Sequence, residues 1–440
     1  MAPGDKRLAK KKDPPGLPTR LAAAERLDSV LKGANFAPFS VSEIADGRDR
    51  AIANRLVTTA LRRHGQLNLV IARYLDRGVP KRSGPFEALL RLSLAQLLYL
   101  PEMGDHSALF LAVEATRRDN RSQHLGKLMN AVLRRAQADR DELLALPETA
   151  LFPDRLVTLW QGAYGADAMP GLAAALLDGA PLDLTLRDEA PELVSSLGAA
   201  PVAFDTVRIA DRDRPVEALP GYAEGSWWVQ DAAAALPARL LGLPAGSAVL
   251  DLCAAPGGKT AQLAKAGYKV TALDIDPLRM ERVTENLQRL GYAAELLVGD
   301  GTALDPARRY DGILLDAPCS ATGTFRRHPE VVWHRDAADI AGRVALQRRF
   351  ISAAAACLNP GGVLVYCVCS LEPAEGEEQA RWAAETVETL VADPIQPAEL
   401  GSLAFAALPS GVIRTYPGQA VPGENGGTLD GFFVARFRRR

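Results

Sequence analysis

The sequence predicts a multidomain protein composed of an all-α bundle, a small α+β domain and an α/β domain with a parallel, doubly wound sheet. Its 440 residues exceed what one hydrophobic core usually serves, and 48% of them are hydrophobic, which is enough to bury several cores. In the first third of the chain, apolar residues recur at helical spacing. In the second half, short apolar runs alternate with helical segments, as expected of a Rossmann-like sheet.

The first 140 residues are basic, although the whole chain is nearly neutral. They carry a formal net charge of +11 and the remainder carries −13, which leaves −2 overall. Residues 1–19 combine several lysines with several prolines and predict a disordered basic arm. Contact with phosphate groups and a merely solvated tail both fit this composition, so the function of the arm stays open.

Residues 20–142 predict a helical bundle. One segment repeats apolar residues at helical spacing at Leu90, Leu94, Leu97 and Leu98. Arginine pairs are expected at helix ends or polar faces, at 62–63, 117–118 and 134–135. Each pair taken singly fits complementation of the helix dipole, but several pairs on one basic domain indicate a nucleic-acid-binding surface.

Residues 143–225 predict a small α+β connecting domain, because short alternating stretches at 182–186 and 202–209 are separated by Pro and Gly. Residues 226–440 predict the α/β domain. Its expected strands are 248–253, 270–275, 295–298, 312–315 and 363–368. Its two clearest helices are expected around 278–290 and 337–358. Ligands of such sheets bind outside the carboxyl ends of the strands, so the chemistry is expected in the loops there.

The segment from Asp251 to Thr260 follows the first of these strands and opens a helix, and its glycines let backbone N–H groups approach a ligand closely. A phosphate-binding Walker loop needs Gly five positions before Gly258, where this chain has Cys, and a dinucleotide site needs Gly-x-Gly-x-x-Gly, which is absent. S-adenosylmethionine remains as the expected cofactor. Its predicted contacts in this segment, the donor loop, are Cys253, Ala254, Ala255, Pro256, Gly257, Gly258 and Lys259.

Acidic residues follow the next strands at the same edge of the sheet. Asp274 and Asp276 end the second strand, Asp300 follows the third and Asp316 the fourth. Each alone is typical of a turn or a helix cap, and Asp276 before proline has the pattern of an N-cap. On successive strands after a glycine loop, Asp274, Asp300 and Asp316 together indicate contacts to the ribose and adenine of the methyl donor.

Two cysteines fifty positions apart indicate the reaction: Cys319 in Asp-Ala-Pro-Cys and Cys369 in Cys-Val-Cys-Ser. Carbon 5 of cytosine is a poor nucleophile until a thiolate adds to carbon 6 and makes an enamine. One thiol therefore attacks, and a second group assists proton removal and release. Asp316 is placed to hydrogen-bond ring N3 and the exocyclic amine during attack, and these three residues form the predicted catalytic set.

These segments, together with residues 320–323 and 326–329, resemble the ribosomal RNA small-subunit methyltransferase B family, also called the Sun or Fmu type. The likeness extends over nearly the whole chain: the bundle resembles a NusB-like RNA-binding domain, residues 228–231 the entry to the catalytic domain, and residues 430–433 its closing strand. The resemblance implies formation of 5-methylcytosine in small-subunit (16S) ribosomal RNA. It also implies a covalent intermediate, with Cys369 attacking cytosine and Cys319 assisting breakdown of the adduct.

The chain departs from the family pattern beside the attacking cysteine. Val368 stands where threonine is usual, which puts the rate in question more than the reaction type, and residues 184–188 lack the usual Arg-Val-Asn. Cys367 shares a strand face with Cys369. Cys367 therefore either crowds the site, substitutes for Cys369 as the reactive thiol, or forms a disulfide with Cys369 under oxidation.

Three further side chains have competing interpretations. Cys253 and Cys357 have the pattern of small core residues. Lys259 either activates Cys369, orients Asp316 or is an ordinary lysine at a helix N-terminus, where a positive charge is unfavourable unless it is used.

A cytosine exposes its reactive edge only when it is unpaired or extruded from a helix. The loop after Cys319 contains three aromatic side chains that could stack on a base: Phe325, His328 and Trp333. Arg326 and Arg327 are expected to hold the flanking phosphates. The alternative for Trp333 is that it packs beneath the loop.

Composition disfavours several other classes. The sequence has no run of about 18 uncharged apolar residues and no apolar N-terminal stretch, which argues against a membrane span and a signal peptide. Five cysteines without Cys-x-x-Cys spacing fit a reducing compartment, and the scattered histidines predict no metal site. We therefore expect a cytoplasmic monomer that binds ribosomal RNA, with no membrane partner.

Two other functions stay open at this point. One is a non-catalytic RNA-binding scaffold with a vestigial donor module, which the paired cysteines disfavour. The other is a tRNA or DNA cytosine methyltransferase of the same chemistry. DNA enzymes characteristically attack with the Pro-Cys cysteine, so the identity of the essential cysteine separates them.

Overall fold

The computed structural model describes residues 13–209, 214–421 and 427–440. These residues divide into two compact units, one formed by residues 13–154 with 328–333 and the other by the described residues of 155–327 and 334–440. The predicted basic arm lies mostly outside the described residues. Its last three positions, 17–19, form the first turn of a helix.

The first unit is a helical bundle. Its helices are α1 (Leu17–Leu31), α2 (Gly47–Arg62), α3 (His64–Tyr74), α4 (Phe86–Tyr99), α5 (Asp105–Arg118), α6 (Gly126–Ala138) and α7 (Arg140–Leu144). Helix α4 lies at the centre and packs against α1, α2, α5 and α6, because its sequence is apolar on nearly every side. Its one buried charge, Arg91, is paired with Glu87 at 2.8 Å. The helical bundle predicted from leucine spacing is confirmed.

The arginine pairs contribute to three helix ends of this unit. Arg62 ends α2, Arg117 and Arg118 end α5, and Arg135 lies in the last turn of α6. Positive charge is favourable at these ends because the helix dipole is negative there. Their contact with nucleic acid stays a prediction.

The second unit begins with two helices and a small antiparallel sheet. In order these elements are α8 (Asp154–Tyr164), α9 (Met169–Asp178), β1 (Leu182–Leu186), α10 (Pro191–Ser196), β2 (Ala199–Ala203), β3 (Thr206–Ile209) and β4 (Trp227–Val229). Within the described ranges this sheet has the strand order β2-β3-β1-β4. The predicted stretch at 202–209 is the end of one strand, a turn at 204–205 and a second strand.

The remainder of this unit is a large sheet flanked by helices. Its elements are α11 (Ala232–Arg239), β5 (Ala248–Leu252), α12 (Gly258–Lys265), β6 (Lys269–Asp274), α13 (Pro277–Leu290), β7 (Glu295–Val298), β8 (Tyr310–Asp316), α14 (Ala337–Cys357), β9 (Leu358–Val368), α15 (Glu377–Thr386), β10 (Leu390–Ala392), β11 (Ile413–Thr415) and β12 (Phe432–Arg439). In the part of the chain that the structure describes, the strand order is β7-β6-β5-β8-β9-β12-β10, with β11 paired to β12. Strands β5 to β9 are parallel, and β12 runs antiparallel to β9. The predicted α/β fold is confirmed.

The strand order places the functional loops together. The chain moves outward from β5 to β6 and β7 and then returns to the other side of β5 with β8. The carboxyl ends of β5 and β8 therefore flank a switch-point crevice, where ligands bind in such sheets. The donor loop follows β5, Asp316 ends β8, and Cys369 follows β9.

Candidate active site

The donor loop is held against the neighbouring strand by backbone contacts. The N–H groups of Cys253 and Ala254 donate to the carbonyl of Leu273, at 2.9 and 3.1 Å. Cys253 has φ +67°, which is uncommon for a residue with a side chain, and Gly257 has φ +99° where it caps α12. The loop thus holds a backbone shape that most residues disfavour, which is typical of a ligand-binding turn.

Asp251 lies beneath this loop and is fully buried. Its Oδ2 accepts a hydrogen bond from the Thr260 hydroxyl at 2.6 Å, but its Oδ1 has no partner among the described residues. Burial raises the pKa of Asp251 to about 7, although the Thr260 hydrogen bond and the charge of Lys259 oppose this rise. A buried carboxylate oxygen without a partner beside a glycine loop fits the ammonium group of S-adenosylmethionine.

The acids that follow β6 and β7 have different surroundings. Asp274 is buried and accepts hydrogen bonds from the N–H groups of Ala255 and Asp276, both at 3.2 Å, so it helps to hold the donor loop. Asp276 caps α13 through Leu278 N–H at 2.9 Å, as its N-cap pattern predicts. Asp300 is exposed and accepts from Thr302 in a local turn. Ligand contacts of Asp274 and Asp300 stay predictions.

Sequence reasoning missed three apolar side chains in the same region. Ile275, Leu278 and Val298 are 68%, 69% and 58% exposed, directly after β6, at the start of α13 and at the end of β7. Large apolar side chains are not usually exposed in a group unless they meet a ligand or partner. The available signal was an apolar residue placed directly after a strand-end acid.

Lys259 contacts Asp316 across the switch point. Its ammonium lies 2.7 Å from Asp316 Oδ2, and the lysine itself is buried. Burial by itself lowers the pKa of Lys259, but the negative charges around it, that of Asp316 first, outweigh burial and raise the pKa. The structure therefore favours the interpretation in which Lys259 orients Asp316.

The two predicted reactive cysteines are brought together by β8 and β9. Their sulfur atoms lie 3.5 Å apart. The hydrogen bond with Cys369 and then burial raise the pKa of Cys319 well above its usual value. A raised pKa disfavours the thiolate form of Cys319 at neutral pH, so the assignment of Cys369 as the attacking residue stays a prediction.

The other cysteines are less suited to attack. Cys367 is fully buried, its Sγ lies 3.5 Å from Asp316 Oδ1, and burial first and then Asp316 raise its pKa. It is a hydrogen-bond donor to Asp316. Burial also raises the pKa values of Cys253 and Cys357, and Cys357 packs in the core as predicted.

Two predicted nucleic-acid contacts are wrong. Arg326 is fully buried and donates to Asp231 and Asp430, at 2.7 Å each, so it cannot hold a phosphate. Arg326 instead joins three segments that resemble the family pattern, residues 228–231, 326–329 and 430–433. Phe325 is also fully buried, 5.9 Å from the ring of Trp160, so it cannot stack on a base.

The remaining aromatic predictions concern the segment that belongs to the first unit. The ring of Trp333 lies 4.6 Å from that of His64, which favours the packing alternative for Trp333. His328 is half-exposed beside Glu330, with 3.6 Å between Nδ1 and Oε1. Its contact with a base stays a prediction.

Two absences concern only the described residues. No group of three or more histidine, cysteine or acidic side chains lies together in a way that would hold a metal ion. Among the described helices, none is both long enough and apolar enough to cross a membrane.

Comparisons with known proteins show which family the chain resembles. A family model described as "16S rRNA methyltransferase RsmB/F" matches residues 238–438, and a NusB family model matches residues 18–138. The ribosomal RNA small subunit methyltransferase B of Xanthomonas campestris pv. campestris is 35% identical, covering 96% of this chain and 97% of that protein. The protein of the same name from Klebsiella pneumoniae subsp. pneumoniae is 36% identical, covering 96% and 98%.

Solved structures show the same fold. A methyltransferase homolog protein from Pyrococcus horikoshii is 28% identical with a TM-score of 0.54, covering 68% of this chain and 98% of that one. NSun6 from Pyrococcus horikoshii, solved with SFG, is 20% identical with a TM-score of 0.54, covering 66% and 98%. The second likeness concerns the fold alone.

The doubly wound sheet, the donor loop at its switch point and the adjacent pair of thiols define an S-adenosylmethionine-dependent methyltransferase. Within that class, the chain belongs to the ribosomal RNA small subunit methyltransferase B family. The family, the enzyme class and the methyl donor predicted from the motifs are confirmed.

Proposed function

We propose that this protein methylates carbon 5 of a cytosine in small-subunit ribosomal RNA, with Cys369 as a covalent nucleophile. The observation that carries the proposal is the pair of Cys319 and Cys369 sulfur atoms 3.5 Å apart. The two cysteines follow the neighbouring strands β8, which ends at Asp316, and β9. The substrate comes from the names of the relatives, which are ribosomal RNA small subunit methyltransferases.

The proposal assigns the donor contacts as follows. Asp251 would pair with its ammonium, the first N–H groups of α12 with its carboxylate, and Asp274 and Asp300 with its ribose. The exposed apolar group Ile275, Leu278 and Val298 would cover a face of its adenine. When bound, S-adenosylmethionine supplies an electrophilic methyl group on a sulfonium.

The attack on cytosine uses side chains of the protein and precedes the methyl transfer. The Cys369 thiol loses its proton to solvent, and ring N3 takes up a proton from solvent that it gives back after release. The Cys369 thiolate then adds to carbon 6 of the cytosine, and the electron pair of the C5=C6 bond moves toward carbon 5 and makes it nucleophilic. Asp316, held by Lys259 and Cys367, hydrogen-bonds protonated ring N3 and the exocyclic amine. These hydrogen bonds favour the electrophilic form of the ring during attack.

Release needs a proton to leave carbon 5 after methylation. Cys319 holds a proton next to the sulfur that must depart. It acts as a relay: its S–H proton passes to the Cys369 sulfur while its own sulfur accepts the proton of carbon 5. The C5–H electron pair re-forms the C5=C6 bond as the C6–S bond breaks.

The basic helical unit serves substrate capture in this proposal. Phosphate attraction by its excess of lysine and arginine needs no sequence-specific contact and weakens with salt. In this proposal the protein acts as a monomer in the cytoplasm, because newly made ribosomal RNA is available there.

The test is transfer of tritium from labelled donor to unmodified small-subunit ribosomal RNA, with digestion to nucleosides to identify the product. Wild type should place the label in 5-methylcytosine, and so should a control in which a buried core cysteine is changed, Cys357→Ala. Donor binding by calorimetry without any transfer would favour the scaffold alternative instead. Transfer only to tRNA or DNA would overturn the proposed substrate.

A further inference from the structure

Glu375 is a fully buried carboxylate that the mechanism above does not use. It lies six residues beyond Cys369, just before α15. Its carboxylate accepts hydrogen bonds from both residues that directly follow the reactive cysteines. The hydroxyl of Ser320 donates to its Oε2 at 2.5 Å, and the hydroxyl of Ser370 donates to the same oxygen at 2.6 Å.

The other oxygen of the carboxylate fixes the first cysteine segment further. Oε1 accepts the Ser320 backbone N–H at 3.0 Å and the amide of Gln347 at 2.9 Å. Gln347 in turn donates to the carbonyl of Pro318 at 3.0 Å. The residues on both sides of Cys319 are therefore tied to one carboxylate, directly at Ser320 and through Gln347 at Pro318.

The backbone of Glu375 is held as well. The hydroxyl of Tyr366, on β9, donates to its carbonyl at 2.6 Å. A buried charge is costly unless its hydrogen-bonding capacity is used, and here donors from three separate segments use it. Such a network has little freedom to change shape.

We propose that Glu375 is a positioning residue for the proposed methyl transfer: it bridges the segments that carry Cys319 and Cys369 and keeps the two sulfur atoms within proton-transfer distance. This inference rests on the proposed function. Each cysteine is joined to its serine by one planar peptide bond, so holding Ser320 and Ser370 limits the positions that the cysteine backbone can take. Without the carboxylate, the two serine hydroxyls keep each other, at 2.9 Å, and weaker contacts to the Thr322 hydroxyl, at 3.2 and 3.5 Å, while the Ser320 N–H loses its acceptor.

The first arm of the experiment separates geometry from charge. In Glu375→Gln, the amide oxygen still accepts from Ser320 N–H, and the amide N–H groups donate to hydroxyls that can also accept. This variant should keep kcat within about threefold of wild type. Glu375→Ala should lower kcat about 100-fold, because misplacement of reacting groups by about 1 Å has this effect, with the donor KM unchanged.

The second arm measures the distance between the thiols without any methyl transfer. Diamide, an azo oxidant, accepts two protons and two electrons from a pair of thiols and leaves a disulfide. The Cys319–Cys369 disulfide, followed by peptide mass, should form about 10-fold more slowly in Glu375→Ala than in wild type, since its rate depends on sulfur proximity. Glu375→Gln should match wild type.

Glu372→Ala is the matched control. Glu372 is also buried and lies in the same segment, but its carboxylate is paired with Arg155 at 3.2 Å and not with either cysteine segment. It should keep the wild-type disulfide rate. Unfolding midpoints and donor affinities identify any variant that has merely lost its fold, and Glu375→Gln keeps the test valid in that case.

The inference is overturned if Glu375→Ala keeps both the kcat and the disulfide rate of wild type, or if Glu372→Ala loses as much of both. A different result separates it from the proposed function. If wild type transfers no methyl group but the disulfide rate falls only in Glu375→Ala, the bridging role stands and the proposed reaction is wrong.

Discussion

The donor loop and the cysteine pair lie at the same edge of one sheet, but they are assembled differently. The donor loop is one continuous segment after β5, held mainly by backbone contacts to Leu273 and by Asp274. The cysteine pair joins two segments fifty residues apart, and buried side chains hold it together. A loop of the first kind is specified by its own residues. A site of the second kind depends on remote side chains such as Glu375 and Gln347.

The two regions also treat buried charge differently. Asp251, beneath the donor loop, has one carboxylate oxygen without a partner, and burial raises its pKa. Both oxygens of Glu375, beneath the cysteines, have hydrogen-bond donors. The first arrangement fits a place where a ligand supplies the missing contact, and the second fits a rigid support. The following predictions test this contrast.

The largest expected effect is loss of reaction without loss of the donor site. Cys369→Ala should lower methyl transfer by at least about 10⁴-fold, because no other group supplies the attacking thiolate. Donor affinity, measured by calorimetry, should stay at the wild-type value. Transfer above about a tenth of the wild-type rate would show that another residue attacks.

The next effect concerns pH and the donor region alone. The folded state holds the Asp251 proton more tightly than the unfolded state, because burial raises the pKa from 3.8 to about 7. The stability of the free protein that depends on this proton is therefore greatest below pH 4 and is lost as pH rises toward 7, with a total on the order of 4 kcal/mol.

Asp251→Asn removes the titrating group and should remove this fall. Urea unfolding of both proteins without donor, at pH 5 and pH 8, measures it. The free energy of unfolding of Asp251→Asn minus that of wild type should be larger at pH 8 than at pH 5. An equal difference at the two pH values would mean that Asp251 does not titrate in this range.

Cys319→Ala should affect release more than attack. We expect turnover to fall about 100-fold, since a positioned proton-transfer group contributes about that much. A covalent protein–RNA adduct should accumulate and be visible on a denaturing gel. The double variant Cys319→Ala, Cys369→Ala should form no adduct. An adduct that persists in the double variant would place the covalent bond on another residue.

A smaller effect distinguishes two neighbouring glycines of the donor loop. Gly257→Ala places a Cβ at φ +99° and 3.1 Å from Val283 Cγ1, so it should destabilise the free protein by about 1–2 kcal/mol. Gly258 has no positive φ, and its added Cβ would meet Gln230 at an ordinary 3.6 Å. Gly258→Ala should leave the unfolding midpoint in urea unchanged, and a shift as large as that of Gly257→Ala would contradict the strain argument.

The smallest effect concerns the thiol beside Asp316. Cys367→Ala removes one weak donor at 3.5 Å, while Lys259 still holds the carboxylate, so kcat/KM should fall by about threefold. Cys367→Ser keeps a donor and should lose less. If the alanine variant were inactive, Cys367 would have a direct part in the chemistry.

The sequence predicted the parallel strands closely, because each is a short apolar run between turn signals. The predicted range 295–298 is that of β7, and the others differ from the observed bounds mostly by one or two residues. Strand β9 is the exception: it begins at Leu358 rather than 363, although Asn, Pro and two glycines follow. Leu358 pairs with Tyr310 across a register shift, and this pairing is visible only in the sheet.

By itself, the sequence determined the helical bundle, the strands, the donor loop and the identity of the paired cysteines, because each is encoded by periodicity or by residues close together in the chain. Only the tertiary structure decided the roles of Arg326 and Glu375. An exposed arginine and a buried one look alike in a sequence, and Arg326 finds its partners 95 and 104 residues away. The distance between the two sulfur atoms was likewise decided by the packing of β8 on β9 and by buried side chains from separate segments.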